Sequence, residues 1–360
     1  MTRTLSEVVV VGDAIDVLGS LEDSSAMLFY LDPPFLSQRS FVFETRQRVR
    51  TAFDDRWEGG IEQYREWIRP LLDQVHRVLH PKGSLYVHVD ARVSHYVKIM
   101  LDEIFSQKNF RNEIVWKRVG SHNDSYQGAR FYGRIHDVIL FYTKSDSYKW
   151  NTPYLPYSPE YLRKRYRHTE RETARRYALG DLTAPGGPNK GNPKYEFLGV
   201  TRYWRYSRER MQDLLENGRI VQSSSGAVPL LKRYLDEMLG RPAQDVWDDI
   251  RLVRGKESSG YPTQKPQSLV ERLLYASTDP GDFVIDPLCG SGTTLLSAQR
   301  LGRRWLGIDS SRRACLIALS RLRQTGIESN LIDKRQGLDI SSREKRWFRT
   351  NGRFIRSPDS

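Results

Sequence analysis

Four residues near the start of the chain could activate an amine. Asp32-Pro33-Pro34-Phe35 follows an apolar run, Met27–Leu31, that reads as a strand buried on both faces. An amine conjugated to an aromatic ring is a poor nucleophile, because its lone pair is delocalised into the ring. A carboxylate and a nearby carbonyl can accept both amine hydrogens and draw the nitrogen toward sp³ geometry, while an aromatic side chain stacks on the ring. Asp32, the Pro33 carbonyl and Phe35 supply those three groups. Pro33 and Pro34 stiffen the loop and remove two N–H donors. The loop also sits at the C-terminal end of a strand, where open α/β sheets take ligands. Taken alone, the same residues make an ordinary turn, since Asp before Pro is a favoured turn start.

A second constellation lies far downstream. Val284-Ile285-Asp286-Pro287-Leu288-Cys289-Gly290-Ser291-Gly292-Thr293-Thr294 runs from strand through a tight loop into a helix. Gly290 and Gly292 let backbone approach a ligand and open a helix N-terminus. The spacing is not GxGxxG, and no Lys follows as in a phosphate-binding loop. A nucleoside-type cofactor therefore suits it better than a triphosphate. Gly307-Ile308-Asp309 ends the next strand in an acid that could hold two ribose hydroxyls. By itself, Gly-Ser-Gly is also an ordinary loop. Tyr261-Pro262-Thr263-Gln264-Lys265-Pro266 reads as a helix entry, with Pro266 in the first turn.

These loops need a scaffold. Val8–Val11, Met27–Leu31, Leu85–Val89, Ile114–Trp116 and Val138–Tyr142 read as strands, and Ile61–His80 and Ala91–Phe105 as helices. Pro81-Lys82-Gly83 stops the first helix. The βαβ rhythm over residues 1–145 argues for a parallel sheet. Residues 146–260 are rich in Pro, Tyr and Gly and lose periodicity, which predicts an irregular inserted module. From 261 the α/β rhythm returns. Gln267–Thr278, Thr293–Leu301 and Ser310–Arg323 are expected as helices, and Phe283–Ile285 and Trp305–Ile308 as strands. The second half of the fold is placed at 261–335, and the basic tail at 336–360 has no clear element.

The 360 residues carry 57 Lys+Arg against 44 Asp+Glu, a formal charge of +13. That surplus favours a polyanionic partner, because Lys and Arg on phosphates release condensed counterions. A solvated basic surface would also produce it. The two cysteines, Cys289 and Cys315, make no CxxC pair and no His stands at zinc-ligand spacing, so no metal is expected. Low cysteine use fits a reducing cytoplasm. No apolar stretch is long enough for a signal segment or a membrane span.

In this order, Asp32-Pro33-Pro34-Phe35 followed by Asp286…Gly290-Ser291-Gly292 resembles the S-adenosylmethionine-dependent amino-methyltransferases that modify adenine N6 or cytosine N4 in DNA. The catalytic loop precedes the cofactor loop, as in the β class, and the chain is similar to type III modification subunits. Phe53-Asp54-Asp55-Arg56-Trp57 with Tyr64 and Trp67 resembles the adenine-specific members. The resemblance covers roughly residues 8–145 and 261–323. It implies a class I, Rossmann-like α/β fold with a mostly parallel seven-stranded sheet, an antiparallel strand near one edge, and permuted motif order. It makes Asp32, Pro33, Pro34 and Phe35 catalytic. Asp13, Asp32, Thr263, Gln264, Lys265, Pro266, Asp286, Leu288, Cys289, Gly290, Ser291, Gly292, Thr293 and Asp309 would hold the cofactor, with Asp13 meeting its adenine. Leu288-Cys289 departs from the family's usual pair, and Cys289 reads as a packing residue.

The resemblance further implies that residues 146–260 form a target-recognition region on double-stranded DNA. Arg163–His168 with Arg171, Arg175 and Arg176, and Arg202-Tyr203-Trp204-Arg205-Tyr206, would meet phosphates and stack on bases. The first run could equally be a solvated helix. Asp245–Ile250 resembles a segment ahead of the cofactor region and reads as a structural cap. Asp at the head of the loop favours adenine N6, with cytosine N4 as the alternative. A catalytically inactive DNA-binding module is a further alternative. Relatives acting on protein glutamine or RNA carry Asn-Pro-Pro-Tyr and the opposite order. A homodimer and a restriction-modification setting carry over as expectations.

Overall fold

The computed structural model describes residues 6–45, 48–120, 130–327 and 329–334. The expected readings of the first five residues and of the basic tail lie outside them. The chain divides into two compact units, residues 1–153 with 244–360, and 154–243.

The first unit is built on one sheet. Its strands are β1 (Val8–Val11), β2 (Ala26–Leu31), β5 (Leu79–Val89), β6 (Phe110–Lys117), β7 (His136–Thr143), β8 (Val246–Trp247), β9 (Phe283–Asp286), β10 (Arg304–Asp309) and β11 (Asn330–Asp333). A separate antiparallel hairpin, β3 (Arg39–Thr45) and β4 (Arg48–Asp55), follows the Asp32 loop. The sheet order is β8-β6-β7-β5-β2-β9-β10-β1-β11. β7 runs antiparallel to β5 and β6, and the other pairs are parallel. The seven strands from β6 to β1 match the expected sheet. Two short edge strands, β8 and β11, extend it to nine.

Both faces are covered, which is why the strands read as continuous apolar runs. Val8 and Val10 pack on one side with α1 (Ala14–Gly19), α2 (Gly60–Val78) and α3 (Ser94–Phe105). Val9 and Val11 pack on the other with α4 (Gln267–Ser277), α5 (Thr293–Arg300) and α6 (Arg312–Gln324). α2 shows how the pattern works. Tyr64, Ile68, Leu71, Leu72, Val75 and Val78 form one buried stripe at helical spacing. The neighbouring strands β2, β9, β10 and β1 are parallel, so their C-terminal ends open on the same edge of the sheet.

The second unit is narrower than the 146–260 region. Residues 146–153 are tied to the first: Lys149 pairs with Asp279 and Asp282 at 2.8 and 2.6 Å. Asn151 donates its backbone N–H to the Ala276 carbonyl. Asp245–Ile250 belongs there too. Val246 pairs with Val115, and the Trp116 indole N–H donates to the Ile250 carbonyl at 2.9 Å.

Within residues 154–243 a small core of Leu182, Phe197, Val200, Trp204, Met211, Leu214 and Leu231 holds a four-stranded antiparallel sheet and a hairpin. Much of the expected basic and aromatic display is used internally. Trp204 is fully buried and donates its indole N–H to the Tyr195 carbonyl, so it does not stack on a base from this position. Arg175 bridges Asp236 and Glu237 and lies 3.8 Å over the Tyr234 ring. Arg176 donates to the carbonyls of Leu162 and Tyr166, and Arg205 to that of Thr183. Glu170 accepts from Lys232, Thr173 and Tyr234, which together pull its carboxyl down to about 2. Arg163, Arg165, Arg167, Arg171 and Arg202 stay exposed.

Candidate active site

Three adjacent strands end in acids. β2 runs into Asp32, β9 ends on Asp286 and β10 on Asp309. All three line one cavity of about 410 Å³, together with Pro33, Pro34, Phe35, Thr263, Gln264, Lys265, Leu288, Cys289, Gly290, Ser291 and Thr293. The two distant constellations of the sequence therefore share a site. Three of the residues named with them are not in its lining. Asp13 caps α1, accepting from the backbone N–H groups of Ile15 and Asp16. Pro266 precedes α4 with extended backbone, one position before the first turn. Gly292 packs inward against Ala318.

The Asp32 end is a charged group against aromatic rings. The Lys265 ammonium pairs with the Asp32 carboxylate and stands 5.2 Å from the Phe35 ring centroid. Phe35 stacks on His88, centroids 6.1 Å apart and planes at 22°. His88 is fully buried between Tyr30 and Asp137. Burial pushes the Asp137 carboxyl up, but the His88 hydrogen bond and the nearby Lys265 and Arg118 charges outweigh it and hold it low. An ionised Asp137 only accepts, so Nε2 of His88 donates to it, and Nδ1 shares a hydrogen bond with the Tyr30 hydroxyl, 2.9 Å away. Phe41 and Phe53, stacked at 4.7 Å, extend the aromatic wall, as do Trp57 and Trp67.

The other end is shaped by backbone. Gly290 donates its N–H to Asp309 Oδ2 at 2.9 Å, and Ser311 donates to Oδ1 at 2.7 Å. Each oxygen keeps a lone pair for another donor. Burial pushes the Asp309 carboxyl up to about 6 and that of Asp286 up to about 7. A Cβ on Gly290 would sit 3.2 Å from the Tyr261 ring, so glycine leaves that ring its place against the loop. Gly292, at φ 76°, serves a different end: a Cβ there would lie 2.6 Å from the Ala318 Cβ on α6. Arg321 pins the loop by donating to the Ser291 carbonyl and hydroxyl and to Thr293 Oγ1. Thr293 donates in turn to the Lys265 carbonyl, joining the two segments. Gln264 braces its own turn through Ser259 and the Glu257 carbonyl. The hydrogen bond with Cys315 and, after it, burial raise the Cys289 thiol, which suits packing rather than nucleophilic attack.

Sequence reasoning gave no site role to Tyr261, Asp55, Trp57 or Arg321, although Tyr261 heads the helix-entry segment and Asp55 and Trp57 stand in the segment that resembles adenine-specific members. Tyr261 heads the segment that supplies Lys265, and its aromatic ring was the available signal. The others act through contacts across long separations, which local spacing does not show. Among the described residues no cluster of His, Cys, Asp and Glu could hold a metal ion, and no helix is long and apolar enough to cross a membrane.

The chain has relatives among known proteins. The type II methyltransferase M.EcaI of Enterobacter cloacae is 32% identical over 306 residues, covering 84% of this chain and 65% of that protein. The Mod subunit of the type III restriction-modification enzyme StyLTI of Salmonella typhimurium is 24% identical, covering 93% and 55%. The chain thus spans between about half and two thirds of these two relatives. TTHA0409 from Thermus thermophilus, solved in complex with S-adenosyl-L-methionine, is 20% identical with a TM-score of 0.48, covering 91% and 98%. The model of the N6/N4 DNA methylase family matches residues 26–320. That span includes both the Asp32 loop and the Gly290 loop, and the chain belongs to the N6/N4 DNA methylase family.

Proposed function

We propose that this chain methylates the N6 amine of adenine in double-stranded DNA, with S-adenosylmethionine as methyl donor and Asp32 as the amine's hydrogen-bond acceptor. The observation that carries the reading is the single cavity lined by both the Asp32 loop and the Gly290 loop. When bound, the cofactor supplies a methyl group already activated on a sulfonium. The protein's task is then to align two reactants.

The residues fit that cofactor. Asp309 has an unused lone pair on each oxygen for ribose hydroxyls. Asp286 and Asp309 offer negative charge to a cationic ligand, and Tyr261 offers a flat ring beside Gly290. On the other side, the target base would leave the duplex and enter against Phe35. Asp32 and the Pro33 carbonyl would accept hydrogen bonds from the two amine hydrogens, and the proton that the nitrogen loses on gaining the methyl would leave to solvent by way of Asp32. Asp32 must first exchange Lys265 for the amine. The exposed arginines of residues 154–243 would hold phosphates. We place the activity in the cytoplasm, beside chromosomal DNA.

Cofactor affinity should depend on pH. Protonating Asp286 and Asp309 removes the acceptors and the negative charge, so affinity should fall as pH drops below about 7. A weakening of up to about tenfold per pH unit is expected for each proton taken up. Calorimetry from pH 8.5 to 5.5 checks this, and a constant Kd would contradict it.

The reading is tested by incubating duplex DNA with methyl-labelled cofactor and digesting the DNA to nucleosides. Label in N6-methyl-2′-deoxyadenosine supports it. Label in N4-methylcytosine would move the assignment to cytosine, and label only in RNA or protein would overturn it.

A further inference from the structure

We propose that Asp55 is a positioning residue for the Asp32 loop, setting the shape of residues 35–38 and through them the placement of Phe35 and Asp32. Asp55 ends β4 and is 1% exposed. Its carboxylate accepts four hydrogen bonds. Oδ2 takes the backbone N–H groups of Phe35 at 3.2 Å and Ser37 at 2.7 Å. Oδ1 takes the N–H of Leu36 at 3.0 Å and the Trp57 indole N–H at 2.9 Å. Three consecutive amides thus converge on one side chain directly after the catalytic prolines. Such an arrangement needs an acceptor, because buried N–H groups without one are costly.

Gln38 closes the same contact. Its backbone N–H donates to the Asp55 carbonyl at 3.0 Å, and its side chain makes a two-way bond with the backbone of Trp57. Leu36 and Gln38 have φ of 55° and 57°. Neither is glycine, and L-residues avoid this region unless the surroundings hold them there. The loop therefore has an unfavourable local shape, and the Asp55–Trp57 segment holds it. Asp55 and Trp57 also line the cavity that holds Asp32 and Phe35. A brace of this kind acts on rate, since small misplacements of reacting groups are expensive. It leaves the Asp309 and Gly290 side of the cavity untouched.

This inference rests on the reading of Asp32 as catalytic. Asp55→Asn keeps the shape of the side chain but turns one oxygen into a donor facing amide N–H groups. Single-turnover methylation should slow about 10²-fold. Cofactor Kd by calorimetry should stay within about threefold, because most of the proposed cofactor contacts, Asp309 and the Gly290 loop among them, lie away from Asp55 and only Asp32 is shared. Amide exchange at residues 35–37 should speed up. Trp57→Phe removes one of the four hydrogen bonds and should slow the rate about fivefold, again with cofactor affinity kept. If Asp55→Asn does not fold, Trp57→Phe and Gln38→Ala carry the test, and an unchanged rate in both overturns the proposal. An Asp55→Asn rate within about threefold of the parent also overturns it, as does a Kd that worsens in step with the rate. Asp32→Ala separates the two readings. If Asp32→Ala is active, the catalytic assignment itself fails. If it is inactive while Asp55→Asn is fully active, only the Asp55 proposal fails.

Discussion

Asp32→Ala should lower the rate of methyl transfer by about 10³-fold or more, in the upper part of the range for losing a positioned proton acceptor. On the proposed mechanism, the substitution removes the group that draws the amine nitrogen toward sp³ geometry. Asp286 and Asp309 end neighbouring strands, but burial raises both, and Asp309 is already held by two backbone N–H groups. The change also leaves Lys265, a residue only 8% exposed, without its carboxylate partner. Removing one member of a buried pair commonly costs on the order of 3–5 kcal/mol, so the variant should melt earlier than the parent. The rate must therefore be measured on folded, cofactor-saturated protein at a temperature well below its melting point. Asp32→Asn, which keeps one acceptor oxygen, should fall between the two. An Asp32→Ala enzyme with a single-turnover rate within tenfold of the parent would remove the carboxylate from the mechanism.

The two loop glycines should fail in different ways. Gly292→Ala places a methyl 2.6 Å from the Ala318 Cβ at a φ of 76°. The methyl meets the packed face of α6, which gives way only if α5 and α6 separate. Overpacking costs roughly 1–3 kcal/mol and a left-handed L-residue roughly another 1–2. A fall in Tm on the order of 5–15 °C is expected for a domain this size. Gly290→Ala puts its methyl 3.2 Å from the Tyr261 ring at a φ of 49°. The ring is the far end of a side chain and can move, at the expense of the cavity wall it forms. That variant should lose cofactor affinity, by about tenfold or more, with a smaller change in Tm. Differential scanning calorimetry and cofactor titration on both variants check the contrast. Equal Tm losses with equal affinities would contradict it.

What could be read from the chain follows from which forces are local. The parallel strands are legible because burial on both faces makes them continuous apolar runs, as in Val8–Val11 and Leu85–Val89. α2 is legible because its stripe repeats at helical spacing. The hairpin from Arg39 to Asp55 was not expected, since its strands carry many charged and polar residues and pair only with each other. α1, at six residues, is too short to show periodicity. Two edge strands, Val246–Trp247 and Asn330–Asp333, exist only through pairing with distant partners. In the site, residue type and strand ends pointed to Asp32, Asp286 and Asp309. The Asp55 brace and the Arg321 pin are tertiary contacts with no spacing signal. The basic and aromatic runs misled in part for the same reason. A sequence cannot show that Trp204 turns into a core, or that Arg175 and Arg176 satisfy carboxylates and carbonyls of their own unit.

The most direct test of the central claim is long-read methylome sequencing of DNA from cells expressing the parent chain or its Asp32→Ala variant. Base, position and sequence context are read together. The expected result is N6-methyladenine at a defined site in the parent sample and its absence in the variant. Unmodified DNA in both samples, or equal modification in both, would contradict the assignment of Asp32 as the residue that activates the base.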